Sequence, residues 1–163
     1  MNNSKYTASV ITVSDKGYEG KREDKSGPLA ADMLAAMGFD VIKTEIVPDE
    51  KNLIENILIA HSDDGINLVI TSGGTGAAPR DITPEATLSI AEREMPGLSE
   101  MMRMGGLKIT PFSVLSRGRS VIRKSSIIIN LPGNPKAVKE NLEILEPVLH
   151  HAVKMLVGRD IEH

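Results

Sequence analysis

The chain has 163 residues, 40% hydrophobic and 2% aromatic, with no cysteine and a formal net charge of -3. That length suits one domain, residues 1–163, burying roughly two-thirds of its unfolded surface, and the missing thiols exclude disulfides, thiolate catalysis and Cys-ligated metal or iron–sulfur centres. The acidic balance (pI ≈ 5.8) and the scarcity of base-stacking rings argue against a nucleic acid as partner, while a small anionic ligand stays possible because only the local field matters there.

The N-terminal stretch "MNNSKYTASVITV" has an apolar run too short for a membrane span and no small-residue cleavage site, so no membrane partner is expected and the cytoplasm is the default compartment. Its part from Thr7 to Val13, "TASVITV", is rich in β-branched residues and predicts a strand. "GPLAADMLAAMG" follows, with Leu29, Met33, Leu34 and Met37 on one helical face and Gly38 as the stop. "FDVIKTEIV" (Phe39 to Val47) reads as a second strand, and "DEKNLIENILIAHSD" as a helix carrying Leu53, Ile54, Ile57 and Leu58. "INLVIT" and "SIIINL" (Ser126 to Leu131) complete the strands, whose near-continuous apolar character predicts burial on both faces. From Asn134 to Val157, Val138, Leu142, Leu145, Leu149, Ala152 and Leu156 alternate by fours and threes, the pattern of a long amphipathic helix that Pro147 should kink or divide. The four histidines, His61, His150, His151 and His163, lack metal-ligand spacing and read as surface or helix-end residues; the eight methionines read as core filling.

Strands alternating with helices predict an α/β fold, a three-layer α/β/α sandwich around a mostly parallel sheet, and ligands in such folds bind beyond the carboxyl ends of the strands. The chemically loaded loops fall there: "SDKGYEGKREDKSGP", "VPDE", "TSGGTGAAPRDITPE" and "LPGNPKA". Pro28, Pro84 and Pro135 suit first helical turns, and Thr83 and Asn134 suit N-caps before two of them.

"SGGTG", Ser72 to Gly76, lets backbone N–H groups converge on an anion, with a helix N-terminus behind it. It has neither the nucleoside-triphosphate P-loop spacing nor the dinucleotide Gly-x-Gly-x-x-Gly fingerprint, and a plain turn is the competing reading. Asp49 and Asp81 each follow a strand on the same predicted edge. Two carboxylates there could hold Mg2+, which completes its shell with water and substrate phosphates; alternatively each caps a helix. "RGRSVIRK", Arg117 to Lys124, reads either as a solvated face or, if its first turn reaches the same edge, as a binder of a second substrate's phosphate.

Together "TVSD", "EDKSGP", "VPDE", "TSGGTGAAPRDITPEAT", "EREMPGLSEMMR", "LKITPFSVLSRG" and "INLPGNPKAV" resemble, in order and from Tyr6 to Lys154, the Mog/MoaB family and specifically its molybdopterin adenylyltransferase members. The resemblance implies an enzyme that joins AMP from ATP to the terminal phosphate of molybdopterin and releases pyrophosphate. It also implies a homotrimer, with a molybdenum-insertion protein as a further partner. Carried over by position, Ser72, Gly73, Gly74, Thr75 and Gly76 would bind the nucleotide and its phosphates, together with Ser14, Asp15, Gly133 and Asn134. Asp49 and Asp81 would be the catalytic acidic pair and the Mg2+ ligands, with Asp24, Ser26, Ser116 and Arg117 toward the pterin. The Arg80-Asp81 continuation resembles the adenylylating members, and the short C-terminal end resembles a stand-alone enzyme. The competing expectation is a trimeric carrier that holds molybdopterin without adenylylating it, since fold alone does not decide function.

Overall fold

In a computed structural model, residues 5–158 are described. The elements in order are β1 (Thr7–Val13), α1 (Asp15–Tyr18), α2 (Ser26–Ala36), β2 (Asp40–Val47), α3 (Lys51–Asp63), β3 (Leu68–Ser72) and α4 (Thr83–Ile90). Then come β4 (Arg93–Glu94), α5 (Pro96–Gly106), a 3-10 turn (Pro111–Leu115), β5 (Ser120–Arg123), β6 (Ser126–Leu131) and α6 (Pro135–Val157). One six-stranded sheet has the order β2-β1-β3-β6-β5-β4. The first four strands are parallel, and β5 and β4 join antiparallel.

The period-2 geometry of the strands divides the core. Val10, Ile70, Ile127, Ile129 and Leu131 face α2, α5 and α6, whereas Ile11, Val69 and Ile128 face α3 and α4. The sheet therefore lies between two helical layers, as the alternation predicts. Burying Ile and Leu side chains fully on both faces contributes about 1.5–3 kcal/mol for each, and this makes the central strands a fixed frame for the loops at their ends.

Several expectations change. β2 is an edge strand with Ile42 and Ile46 exposed, pairing with β1 alone among the described residues. α6 runs unbroken for 23 residues through Pro147; the carbonyl left without its i+4 donor belongs to exposed Glu143, where water can serve it. Asn134 caps α6 as predicted, its side chain accepting from Lys136 N at 2.8 Å. Thr83 is not a cap: α4 starts on it, behind Ile82. Half of "RGRSVIRK" is the buried strand β5 rather than a solvated face. His61 lies in the last turn of α3, a helix end as expected, but is buried there rather than on the surface, with Nδ1 2.8 Å from Ser9 Oγ and Nε2 2.5 Å from a Glu45 carboxylate oxygen. Met104 and Met155 are exposed rather than core, and His163 lies outside the described residues.

Candidate active site

The loops after β1, β2, β3 and β6 meet at the carboxyl edge of the parallel strands and enclose a cavity of about 1080 Å3. At its base the chain leaves β3 into Gly73, whose N–H donates to Leu131 O at 3.0 Å. Gly73 has φ +109, and a Cβ there would stand 2.2 Å from Val13 O. Gly74 has φ +68, and its Cβ would fall 2.3 Å from Thr83 Oγ1 and 3.2 Å from Asp49 Oδ1. Only glycine fits this approach of the loop to β1, α4 and an acidic side chain. The Thr83 hydroxyl beneath it is buried without a hydrogen-bond partner among the described residues.

Asp49 reaches the site through a reciprocal link. Its N–H donates to Asp15 Oδ1 at 3.0 Å, and its Oδ2 accepts from Asp15 N–H at 2.9 Å, which ties the ends of β1 and β2 together. Arg80 then forks onto Asp15, with Nε to Oδ2 at 2.6 Å and Nη2 to Oδ1 at 3.0 Å, and donates to Asp49 O at 3.2 Å. This pairing holds the Asp15 carboxyl below the usual carboxylate range and keeps Arg80 charged. Burial pushes the Asp49 carboxyl up, and the negative Asp15 and Asp81 add to it, against the lowering effect of Asp15 N–H and Arg80. Asp81 turns back on its own loop, accepting from Ala78 N–H at 2.9 Å, and its Oδ2 would lie 2.8 Å from a Cβ on Gly76.

The remaining predicted residues divide. Ser14, Asp24, Ser26, Ser116, Gly133 and Asn134 line the cavity, as do Asp49, Asp81 and the Ser72–Gly76 loop. Asp24 is largely committed to the fold: Oδ1 accepts from Ser26 N–H (3.1 Å) and Gly27 N–H (2.9 Å), and Oδ2 from Thr12 Oγ1 (2.7 Å). Ser26 Oγ donates to Gly133 O at 2.6 Å, joining the first loop to the last. Asp15 and Arg117 stand behind the lining: Asp15 pairs with Arg80, and the Arg117 guanidinium faces the Gly76–Asp81 loop and Glu85. Arg117, a pterin candidate from the sequence, thus has its guanidinium engaged by two loop carbonyls and a carboxylate.

The family model described as "Probable molybdopterin binding domain" matches residues 9–151. The chain belongs to this molybdopterin-binding domain family. It is 43% identical over 152 residues to the molybdopterin adenylyltransferase of Helicobacter pylori strain J99, covering 91% of this chain and 86% of that one. The molybdopterin adenylyltransferase of Escherichia coli K12 is 44% identical over 138 residues, 82% of this chain and 70% of that one. The crystal structure of the molybdopterin biosynthesis enzyme MoaB from Thermus thermophilus superposes with a TM-score of 0.90 at 44% identity, covering 96% of this chain and 99% of that one.

In this molybdopterin-binding domain the cavity continues into a groove that the sequence reading missed. Met102, Arg103 and Gly106 of α5 face Glu140, Asn141 and Ile144 of α6 across it. The only sequence trace is the i, i+1, i+4 spacing on each helix, which ordinary amphipathic helices share. No cluster of three or more His, Cys, Asp or Glu suited to a metal occurs among the described residues. The Asp49–Asp81 pair nevertheless fits Mg2+, because both carboxylates flank the glycine turn, the Oδ1 atom of each forms no hydrogen bond among the described residues, and half-buried Asp49, beside other negative charges, is relieved by a cation.

Proposed function

We propose that this single molybdopterin-binding domain is a molybdopterin adenylyltransferase, which transfers AMP from ATP to the terminal phosphate of molybdopterin and releases pyrophosphate. The observation that carries it is the Asp49 and Asp81 carboxylates flanking the Gly73–Gly76 turn inside the cavity, in a chain whose relatives across 91% of its length bear that name. An oxygen of the pterin phosphate forms a bond to the α-phosphorus. The bond from that phosphorus to the bridging oxygen breaks, and its electron pair leaves with pyrophosphate. The attacking phosphate is largely ionised near neutral pH, as phosphomonoesters are, so this route needs neither a strong general base nor a covalent enzyme intermediate.

The chain's work is to bind and align. The loop amides from Gly74 to Gly76 receive the triphosphate charge, with Ser14, Ser72, Gly133 and Asn134 around them. Asp49 and Asp81 would hold Mg2+, which supplies neutralisation of the reacting phosphates. Ser116 and Ser26, which also line the cavity, are assigned to the pterin side, with Asp24 fixing the start of α2 at Ser26. We also assign the chain to the cytoplasm, where ATP is supplied, and to a homotrimer. Exposed Met104, Leu107, Ile109 and Val114 offer apolar surface for contact between copies, and sedimentation equilibrium tests it.

The deciding experiment follows pyrophosphate release from MgATP with and without molybdopterin. Release that requires the pterin is expected. Tight pterin binding without release would replace the enzyme by a carrier.

A further inference from the structure

The Arg117 guanidinium, which is not part of the cavity lining, makes its contacts with the backbone of the loop that is and with Glu85. Its Nε donates to Gly76 O at 2.7 Å, Nη2 to Asp81 O at 2.6 Å, and Nη1 to the Glu85 carboxylate at the start of α4. Its backbone N–H donates to Thr75 O at 2.8 Å. Three bonds from one residue therefore hold the two ends of the span between the glycine turn and Asp81, and a fourth ties it to α4.

The other side of this residue is equally fixed. Arg103 Nη1 donates to Ser116 O at 3.2 Å and to Gly118 O at 3.0 Å, gripping the carbonyls on either side of Arg117. Asn130 of β6 accepts from Arg119 N–H at 3.0 Å and donates to Thr71 and Thr87 hydroxyls at 2.9 Å each. A Cβ on Gly118 would stand 3.0 Å from Asn130 O, so the turn lies flat on β6. An uninterrupted path thus runs from a buried strand through a pinned turn to the loop bearing Asp81.

We infer that Arg117 is a positioning residue, which sets Asp81 relative to Asp49 by clasping the Thr75–Asp81 loop, and is not a ligand for the pterin phosphate. This rests on the adenylyltransferase reading. A guanidinium is required because its planar fork serves two carbonyls and a carboxylate at once, whereas a lysine ammonium is a point donor on a flexible stem. Loss of the clasp lets the Asp81 carboxylate drift, and misplacement by about 1 Å costs on the order of a hundredfold in rate.

The test compares Arg117→Lys with Glu85→Gln in the full chain. Pyrophosphate release is measured against Mg2+, ATP and molybdopterin in turn, and calorimetry measures ATP binding with Mg2+ and with EDTA. For Arg117→Lys the expected result is a fall in kcat on the order of a hundredfold, a higher Mg2+ concentration for half-maximal rate, and an unchanged KM for molybdopterin. In calorimetry, the gain in ATP affinity that Mg2+ confers should shrink. Glu85→Gln keeps Arg117 and should move the same quantities in the same direction by a smaller factor, so it carries the test if Arg117→Lys does not fold. A raised molybdopterin KM with unaltered Mg2+ response would overturn the inference and restore Arg117 as a pterin contact. Wild-type protein that releases no pyrophosphate with molybdopterin would instead remove the adenylyltransferase reading; calorimetry then still reports whether Arg117 governs Mg2+-linked ATP binding.

Discussion

Gly73→Ala tests the closest approach in the site. The new Cβ would meet Val13 O at 2.2 Å, against an ordinary contact beginning at 3.4 Å, so the loop must move by roughly 1 Å to regain normal separation. The backbone at φ +109 adds a dihedral cost of about 1–3 kcal/mol, and insertion into packed structure adds about 1–3 kcal/mol. With a urea slope of about 2 kcal/mol per molar, the midpoint should fall by about 1–3 M. The same displacement shifts the loop that leads to Asp81, so pyrophosphate release should fall on the order of a hundredfold. Gly65→Ala separates the two contributions: its φ is +78 but nothing lies within 4 Å of the new Cβ, so it should lose only about 1 kcal/mol and no rate. Far-UV circular dichroism in urea and the pyrophosphate assay measure both. A Gly73→Ala protein whose midpoint stays within about 0.2 M of wild type, at unaltered rate, would refute the claim that this contact fixes the loop.

Asp81→Asn should lower kcat by a hundredfold or more, on the order of the loss of a major charge-stabilising group, while ATP affinity measured in EDTA is retained; an unchanged turnover rate would sink the metal assignment. Asp49 supplies a pH test in EDTA. Its carboxyl is raised in the fold, so its contribution to stability is fully present below the ordinary value of 3.8 and is lost as pH rises through the raised value. Asp49→Asn should therefore stabilise the protein at neutral pH and lose that advantage as pH falls toward about 4; urea midpoints whose difference is the same at both pH values would contradict the burial argument. His61→Ala should cost about 2–4 kcal/mol, because it opens a cavity and leaves buried Ser9 Oγ without its histidine partner, yet kcat should not change, since His61 lies outside the cavity lining.

Much of this architecture was legible because burial and periodicity speak the same language. β1 and β6 have the predicted bounds, since β-branched runs ending at polar or proline residues leave little choice. The extent of burial was harder to read. "DVIKTEIV" is half polar, with Asp40, Lys43 and Glu45, which suits an edge strand, but edge position also depends on which strand finds a second neighbour, a fact absent from local sequence. The short antiparallel β4 and β5 were missed for a related reason. β4 has only Arg93 and Glu94, and β5 is enclosed by arginines that read as a charged surface.

The site shows where such reading ends. Glycines, aspartates and prolines could be placed because their roles are backbone roles, fixed within a few residues of the strand that precedes them. Long cations are different, since their stems place the head group several ångströms from their own backbone. Arg80 joins Asp15 across 65 positions, and Arg117 joins Gly76 across 41. A basic residue near an anion site is therefore equally legible as a ligand or as a clasp, and only the direction of its head group separates them. In this chain both head groups turn toward carboxylates and carbonyls of the loops. The two roles predict different kinetics: a lost ligand weakens the binding of one substrate, whereas a lost clasp loosens the acidic pair, and with it the Mg2+ response, at unchanged pterin affinity.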